Sequence, residues 1–302
     1  MSVYDLAFPR FRPPRENARI DTGAVRIAWL GTAAHVISTA TTTVLVDPYV
    51  SRHSLGRVAT RRIEPDDAAI ARWIPQKVDA VLCGHSHFDH LHDAPRIAKK
   101  TGAKLVGSTT TCAFARAEGV REDQLVEIPK GGGRTKIGDV DVRFVPSRHG
   151  RIALGRVPFP GEVRSPPRLP AHIWDYKMGG AFGVFIEAAG TRIYHNGSAD
   201  LIDTEISGER ADVLLVGLAG RKATSNYLSR LLSALSPAIV APTHHDAFFA
   251  PLDRGLHLLP GIDLDGFVAE AHARAPRATV VTPDYDEPLA VPAAADAAAF
   301  AA

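Results

Sequence analysis

Cysteine is nearly absent: Cys83 and Cys112 are the only two thiols in 302 residues. That excludes a disulfide framework and makes a reducing, cytoplasmic setting the default. No uninterrupted apolar run approaches ~18 residues, so no membrane-spanning helix is expected. Met1 to Arg19 carry Pro9, Pro13, Pro14 and several arginines but no apolar core of a signal peptide. An excess of charge of either sign is also missing. The formal net charge is +2, which gives no support to nucleic acid as a partner. What is present is apolar mass: 45% of residues are hydrophobic and 23% charged, enough to bury a substantial core. Length over ~150 suggests two domains, yet layered α/β enzymes of this size are often single.

The apolar pattern is mostly β. Val25–Leu30 alternates and stops at Gly31, His35–Ser38 follows, and Thr42–Val46 closes at Asp47-Pro48. β-Branched residues and short connections predict an antiparallel meander there. Pro65-Asp66-Asp67 opens a helix to about residue 73, since proline and acids suit a first turn. Further strands are expected at 79–83, 104–107, 124–128, 134–137 and 140–145, with helices at about 94–100 and from the Ser108 cap to near Gly119. After an irregular stretch the theme repeats. Strands at 182–187, 191–195, 212–217, 238–241 and 278–282 are interleaved with helices at 225–235 and 264–274. The domain plan is an extended arm over 1–23, one domain over 24–284 and an alanine-rich tail over 285–302. Residues 150–180, rich in proline and arginine, form a loop or lid insertion. Meanders with interspersed helices, given twice, predict the α/β (α+β) class: two sheets face to face with helices outside, a four-layer αββα sandwich.

One stretch carries chemistry. Cys83-Gly84-His85-Ser86-His87-Phe88-Asp89-His90-Leu91-His92 follows an apolar strand, where a rigid scaffold commonly displays functional loops. Imidazole and carboxylate at this density suit zinc, manganese or iron rather than calcium. A tight loop cannot wrap four ligands about one ion, so two neighbouring metals completed from elsewhere are expected. His149, Asp200 and His244 each stand just past an apolar strand and are the candidates to complete them. His53 is a further candidate; His35 and His195 read as polar-rim or satisfied core residues, and His92 and Asp93 as serving the loop's own hydrogen bonding.

The order Asp47, His85-x-His87-x-Asp89-His90, His149, Asp200, His244 resembles the metallo-β-lactamase superfamily over roughly residues 25 to 282. The resemblance implies that His85, His87 and His149 hold one metal, that Asp89, His90 and His244 hold a second, and that Asp200 bridges. Asp47 would orient the loop from behind the ligands, with His245 also behind them. The implied cofactor is two divalent ions, Zn2+ foremost and Mn2+ or Fe2+ as alternatives. They would activate a bridging hydroxide, with Asp89 accepting its hydrogen bond and moving a proton. Aspartate rather than cysteine at the bridging position argues against lactam cleavage.

Trp29-Leu30-Gly31-Thr32-Ala33, Leu45-Val46-Asp47-Pro48-Tyr49 and Pro242-Thr243-His244-His245-Asp246-Ala247-Phe248 are similar to the branch with N-acyl-phosphatidylethanolamine phospholipase D and ascorbate-6-phosphate lactonase. The expected reaction is therefore cleavage of a phosphodiester or related ester in a small, anionic substrate. A lactonase, and a non-catalytic metal-binding scaffold or sensor, are the alternatives. Arginine suits phosphate and carboxylate, so Arg148 and Arg221, with His172, Trp174 and Tyr176 of the insertion, are the expected substrate contacts. Membrane contact and homo-oligomer formation stay open at this level.

Overall fold

The computed structural model describes Phe8, Arg10, Phe11 and residues 24–152 and 155–291. Strands β1 (Val25–Trp29), β2 (His35–Ser38) and β3 (Thr43–Val46) form the expected antiparallel meander. From β3 onward the pairing turns parallel, through β4 (Ala80–Leu82), β5 (Lys104–Gly107) and β6 (Leu125–Glu127). Parallel neighbours need long crossovers. Helices α1 (Leu55–Thr60) and α2 (Asp67–Trp73) fill the first return, α3 (Phe88–Leu91) and α4 (Ala94–Thr101) the second, and α5 (Thr109–Glu118) the third. Side-chain caps fix two of these helix starts: Asp66 accepts from the Ala68 and Ala69 amides, and Ser108 from Thr111.

The second sheet repeats this plan. β7 (Gly133–Ile137), β8 (Val140–Ser147), β9 (Ala181–Ala188) and β10 (Thr191–Asn196) are antiparallel; β11 (Val213–Gly217), β12 (Ile239–Thr243) and β13 (Thr279–Val280) continue parallel. Helices α6 (Asp203–Ile206), α7 (Tyr227–Leu235) and α8 (Leu264–Arg274) lie in the returns.

Period-2 alternation sorts the apolar residues into three layers. Val44 and Val46 of β3, Leu82 of β4 and Val213 and Leu215 of β11 meet between the sheets. Leu45 and Val81 point the other way, into the α1–α5 layer. Leu214 and Val216 pack under α6–α8. The αββα sandwich is therefore the fold.

Two boundaries differ from expectation. The stretch assigned to a tail over 285–302 contains β14 (Pro288–Val291), which pairs antiparallel with β1 at the edge of the first sheet. Pro288 sits at its first residue, where an edge strand tolerates it, and this proline, with Pro292 and the alanines beyond it in sequence, hid the strand. Of the arm over 1–23, Phe8 is buried, Arg10 forms an isolated antiparallel bridge with His257, and Phe11 donates to the Leu256 carbonyl at 2.9 Å; the remaining arm residues lie outside those described. No helix among the described residues is long and apolar enough to cross a membrane.

Candidate metal centre

Every candidate ligand sits where a strand has just ended: Asp47 after β3, His85–His90 after β4, His149 after β8, His244 after β12. Their donor atoms gather in three overlapping groups, each within 4.8 Å: His85, His87 and His149; Asp89, His90 and His244; and Asp47, His85 and His90. The first two are the sets expected for the two ions.

Hydrogen bonds already fix the tautomers. Asp47, fully buried, accepts the Gly84 amide on Oδ1 at 2.7 Å and the His90 Nδ1–H on Oδ2 at 2.9 Å. That holds the loop against β3 and leaves the His90 Nε2 lone pair free, the usual way a carboxylate aims a metal-binding imidazole. His149 Nδ1–H donates to the Gly150 carbonyl at 2.7 Å, so its Nε2 is also free. His85 Nε2 is buried and has no hydrogen-bond partner among the described residues. An orphaned buried nitrogen is costly unless something binds it. His244 Nε2 and Asp89 Oδ2 are 3.1 Å apart.

Burial pushes His85 well below the usual imidazole range, with the neighbouring His90 and His87 adding to it. Burial and the nearby His149 take His87 to about 3. Burial also lowers His149, to about 4, against the Gly150 bond. Burial opposes ionisation of Asp89, yet His90 and His244 overcome it and hold the carboxyl below its ordinary value. His90 moves upward, because Asp47 and Asp89 outweigh its burial. His85, His87 and His149 are thus held neutral and Asp89 ionised, the protonation states in which these groups bind a divalent cation. The donor set fits one.

Asp200 is not part of it. The expected bridging carboxylate accepts the Leu201 amide at 2.8 Å and faces Arg230 at 3.9 Å. The turn after β10 explains this. Ala199 adopts φ 55°, Ser198 Oγ is tied to the Arg148 carbonyl, and Gly197 is the residue turned toward the site. His245 stacks on Trp29 (ring centroids 4.5 Å apart) and hydrogen-bonds no candidate ligand. His35 and His195 both donate to the Ala33 carbonyl, at 3.1 and 2.9 Å, as core residues should.

The expected substrate contacts mostly lie elsewhere. Arg148 is exposed, Trp174 is 41% exposed and stacked on His172, and Tyr176 is buried beside His92 at 2.9 Å. None of these four lines the cavity over the ligand groups; Arg221 does. The insertion itself reaches the site, since Ile152, Pro158 and Phe159 line that cavity and the Pro158 carbonyl accepts from His87 Nε2 at 2.9 Å.

A network absent from the sequence reading holds His244. Arg52, 2% exposed, pairs with buried Asp246 at 2.5 Å, and Tyr285 adds a bond to the same oxygen. Asp246 Oδ1 receives the Thr32 amide at 2.7 Å, and the Thr32 carbonyl receives the His244 amide at 2.7 Å. Gly31 is required in this turn: its φ is +77°, and a Cβ would lie 1.7 Å from the Arg52 guanidinium.

Residues 26–244 match a family model described as a beta-lactamase superfamily domain. A "UPF0173 metal-dependent hydrolase" of Anaeromyxobacter dehalogenans is 31% identical over 234 residues, covering 75% of this chain and 76% of the relative. One from Methanopyrus kandleri is 26% identical over 235 residues, covering 74% and 85%. Among solved structures, Igni18, a metallo hydrolase from Ignicoccus hospitalis, superposes with TM-score 0.54 at 18% identity, covering 88% of this chain and 97% of that one. The last likeness is one of fold.

Proposed function

Because the chain belongs to the beta-lactamase superfamily, and within it to the UPF0173 metal-dependent hydrolases, it is a metal-dependent hydrolase, and we propose that it cleaves a phosphodiester or related ester with two divalent ions. The observation that carries this reading is the pair of ligand groups, His85/His87/His149 and Asp89/His90/His244, whose members His87, Asp89, His149 and His244 face one cavity. Zinc is the first choice for five imidazoles and one carboxylate, with manganese or iron as alternatives. Such ions, when bound, acidify water and polarise a carbonyl or phosphoryl oxygen.

The chain's own residues do the rest. Asp47 holds His90 and the loop amide, so the donors are set before any ion arrives. Asp89, ionised and 8% exposed, is placed to accept a proton from water at the cavity floor and pass it to a leaving oxygen. Among the described residues, Asp89 and Asp47 are the carboxylates grouped with the histidines, so two divalent ions would leave that group net positive, which suits an anionic transition state. The superfamily membership leaves the scaffold alternative without support. Lactone opening uses the same groups and is the second reading, favoured by the apolar walls of the cavity.

The test is hydrolysis of bis(p-nitrophenyl) phosphate and of simple lactones by chelator-stripped protein before and after zinc or manganese is restored. Diester cleavage returning with metal supports the first reading, and lactone opening alone supports the second. Hydrolysis that is indifferent to metal would sink both.

A further inference from the structure

The floor of the candidate site is polar, but its walls are not. Phe88, Phe159, Leu218, Phe248, Phe249 and Leu259 line a cavity of about 440 Å³ over His87, Asp89, His149 and His244. The aromatic wall is continuous with the ligands. The His244 and Phe248 rings meet edge to face at 5.3 Å, and Phe248 packs on Phe249 at 4.5 Å. Ile152 closes the rim, resting where Gly220, at φ +94°, has no side chain; a Cβ there would lie 3.1 Å from it.

The cations at the mouth are fewer than the sequence suggests. Arg221 lines the cavity but gives its Nη1–H to Glu270 at 2.8 Å and lies over the Phe267 ring. Lys222 is exposed, and no ion pair of it is found among the described residues. Asp263 also lines the mouth and would repel a highly charged ligand.

We propose that this cavity is the subsite for a hydrophobic alkyl, acyl or aryl group, and that the substrate is an apolar ester carrying at most one negative charge, set near Lys222. Burial of apolar surface against the phenylalanines supplies the binding energy, while the ligand groups below meet the scissile bond. The inference rests on the hydrolase reading for the reaction but not for binding, and the two separate experimentally.

Two measurements decide it. The first is kcat/KM of the zinc-loaded protein for p-nitrophenyl acetate, butanoate, hexanoate and octanoate, with p-nitrophenyl phosphate as the dianionic comparison. The second is displacement of anilinonaphthalenesulfonate, an aromatic monoanion, from metal-free protein by acetate and by octanoate. The expected result is a rise of about fourfold per methylene until the cavity is filled, with octanoate displacing the dye and acetate failing to. Ile262 also lines the cavity; Ile262→Asp and, separately, Phe249→Ser should flatten the rise at unchanged metal content. A flat series, preference for the dianion, or octanoate displacing no better than acetate would overturn the proposal. Should no ester be cleaved while octanoate still displaces the dye in wild type and not in Ile262→Asp, the ester reading fails and the cavity assignment stands.

Discussion

Asp47 and His244 sit in the left-handed region, at φ 46° and 54°. For residues other than glycine such backbone costs on the order of 1–3 kcal/mol and persists only where surrounding contacts over-determine it. Here they do: the Asp47 amide donates to the Leu82 carbonyl at 2.8 Å, and its side chain holds both Gly84 and His90. The motif at His85–His90 was legible because its members are neighbours in sequence and follow one strand. Asp200 was misread for the opposite reason: its distance past a strand end was clear, but the turn that swings its carboxylate toward Arg230 left no mark in the pattern. The two aspartates therefore make opposite predictions. Asp47→Asn should weaken metal affinity by about 10- to 100-fold, measured by competition with a chromogenic chelator. Asp200→Ala should leave affinity within about twofold, and a loss as large as that of Asp47→Asn would restore it as a ligand.

At the scale of elements, the loop after β3, the β1–β2 turn and the loop after β12 are joined by Arg52, Thr32 and Asp246. The Arg52–Asp246 pair spans 194 positions in sequence and contributes nothing to local periodicity. For that reason it was illegible, although Asp246 stands two residues from a predicted ligand. Most strands and the longer helices were legible, since each gives apolar alternation or a capped amphipathic run. The one-turn helices α3 and α6, α1 with only Val58 buried, and β14 with its leading proline were too short or too atypical to register. Removing one member of a buried ion pair leaves the other uncompensated, at about 3–5 kcal/mol. Asp246→Leu should lose stability of that order in urea denaturation of metal-free protein. The double variant Arg52→Met/Asp246→Leu should recover most of it. Equal losses in single and double variants would mean that the pair does not carry the cost.

For the whole molecule, the two halves are variations on one plan, antiparallel strands giving way to parallel ones, and each sheet has seven strands among the described residues. Packing them face to face brings the ends of β3, β4, β8 and β12 to one rim, so ligands from four strands converge without any being adjacent in sequence beyond the loop. This part of the architecture was readable from the repeated strand order; the cavity was not. Its phenylalanines come from the loop after β4, the insertion and the loop after β12, and only the tertiary fold assembles them. The most direct test of the account is the metal content of the protein, by elemental analysis after reconstitution and removal of free metal, in wild type and in His87→Ala, with hydrolysis followed on the same samples. About two divalent ions per chain in wild type, fewer in the variant, and activity that falls with them is the predicted result. A wild-type chain that retains no stoichiometric metal, or that hydrolyses equally well without it, would contradict the account at its centre.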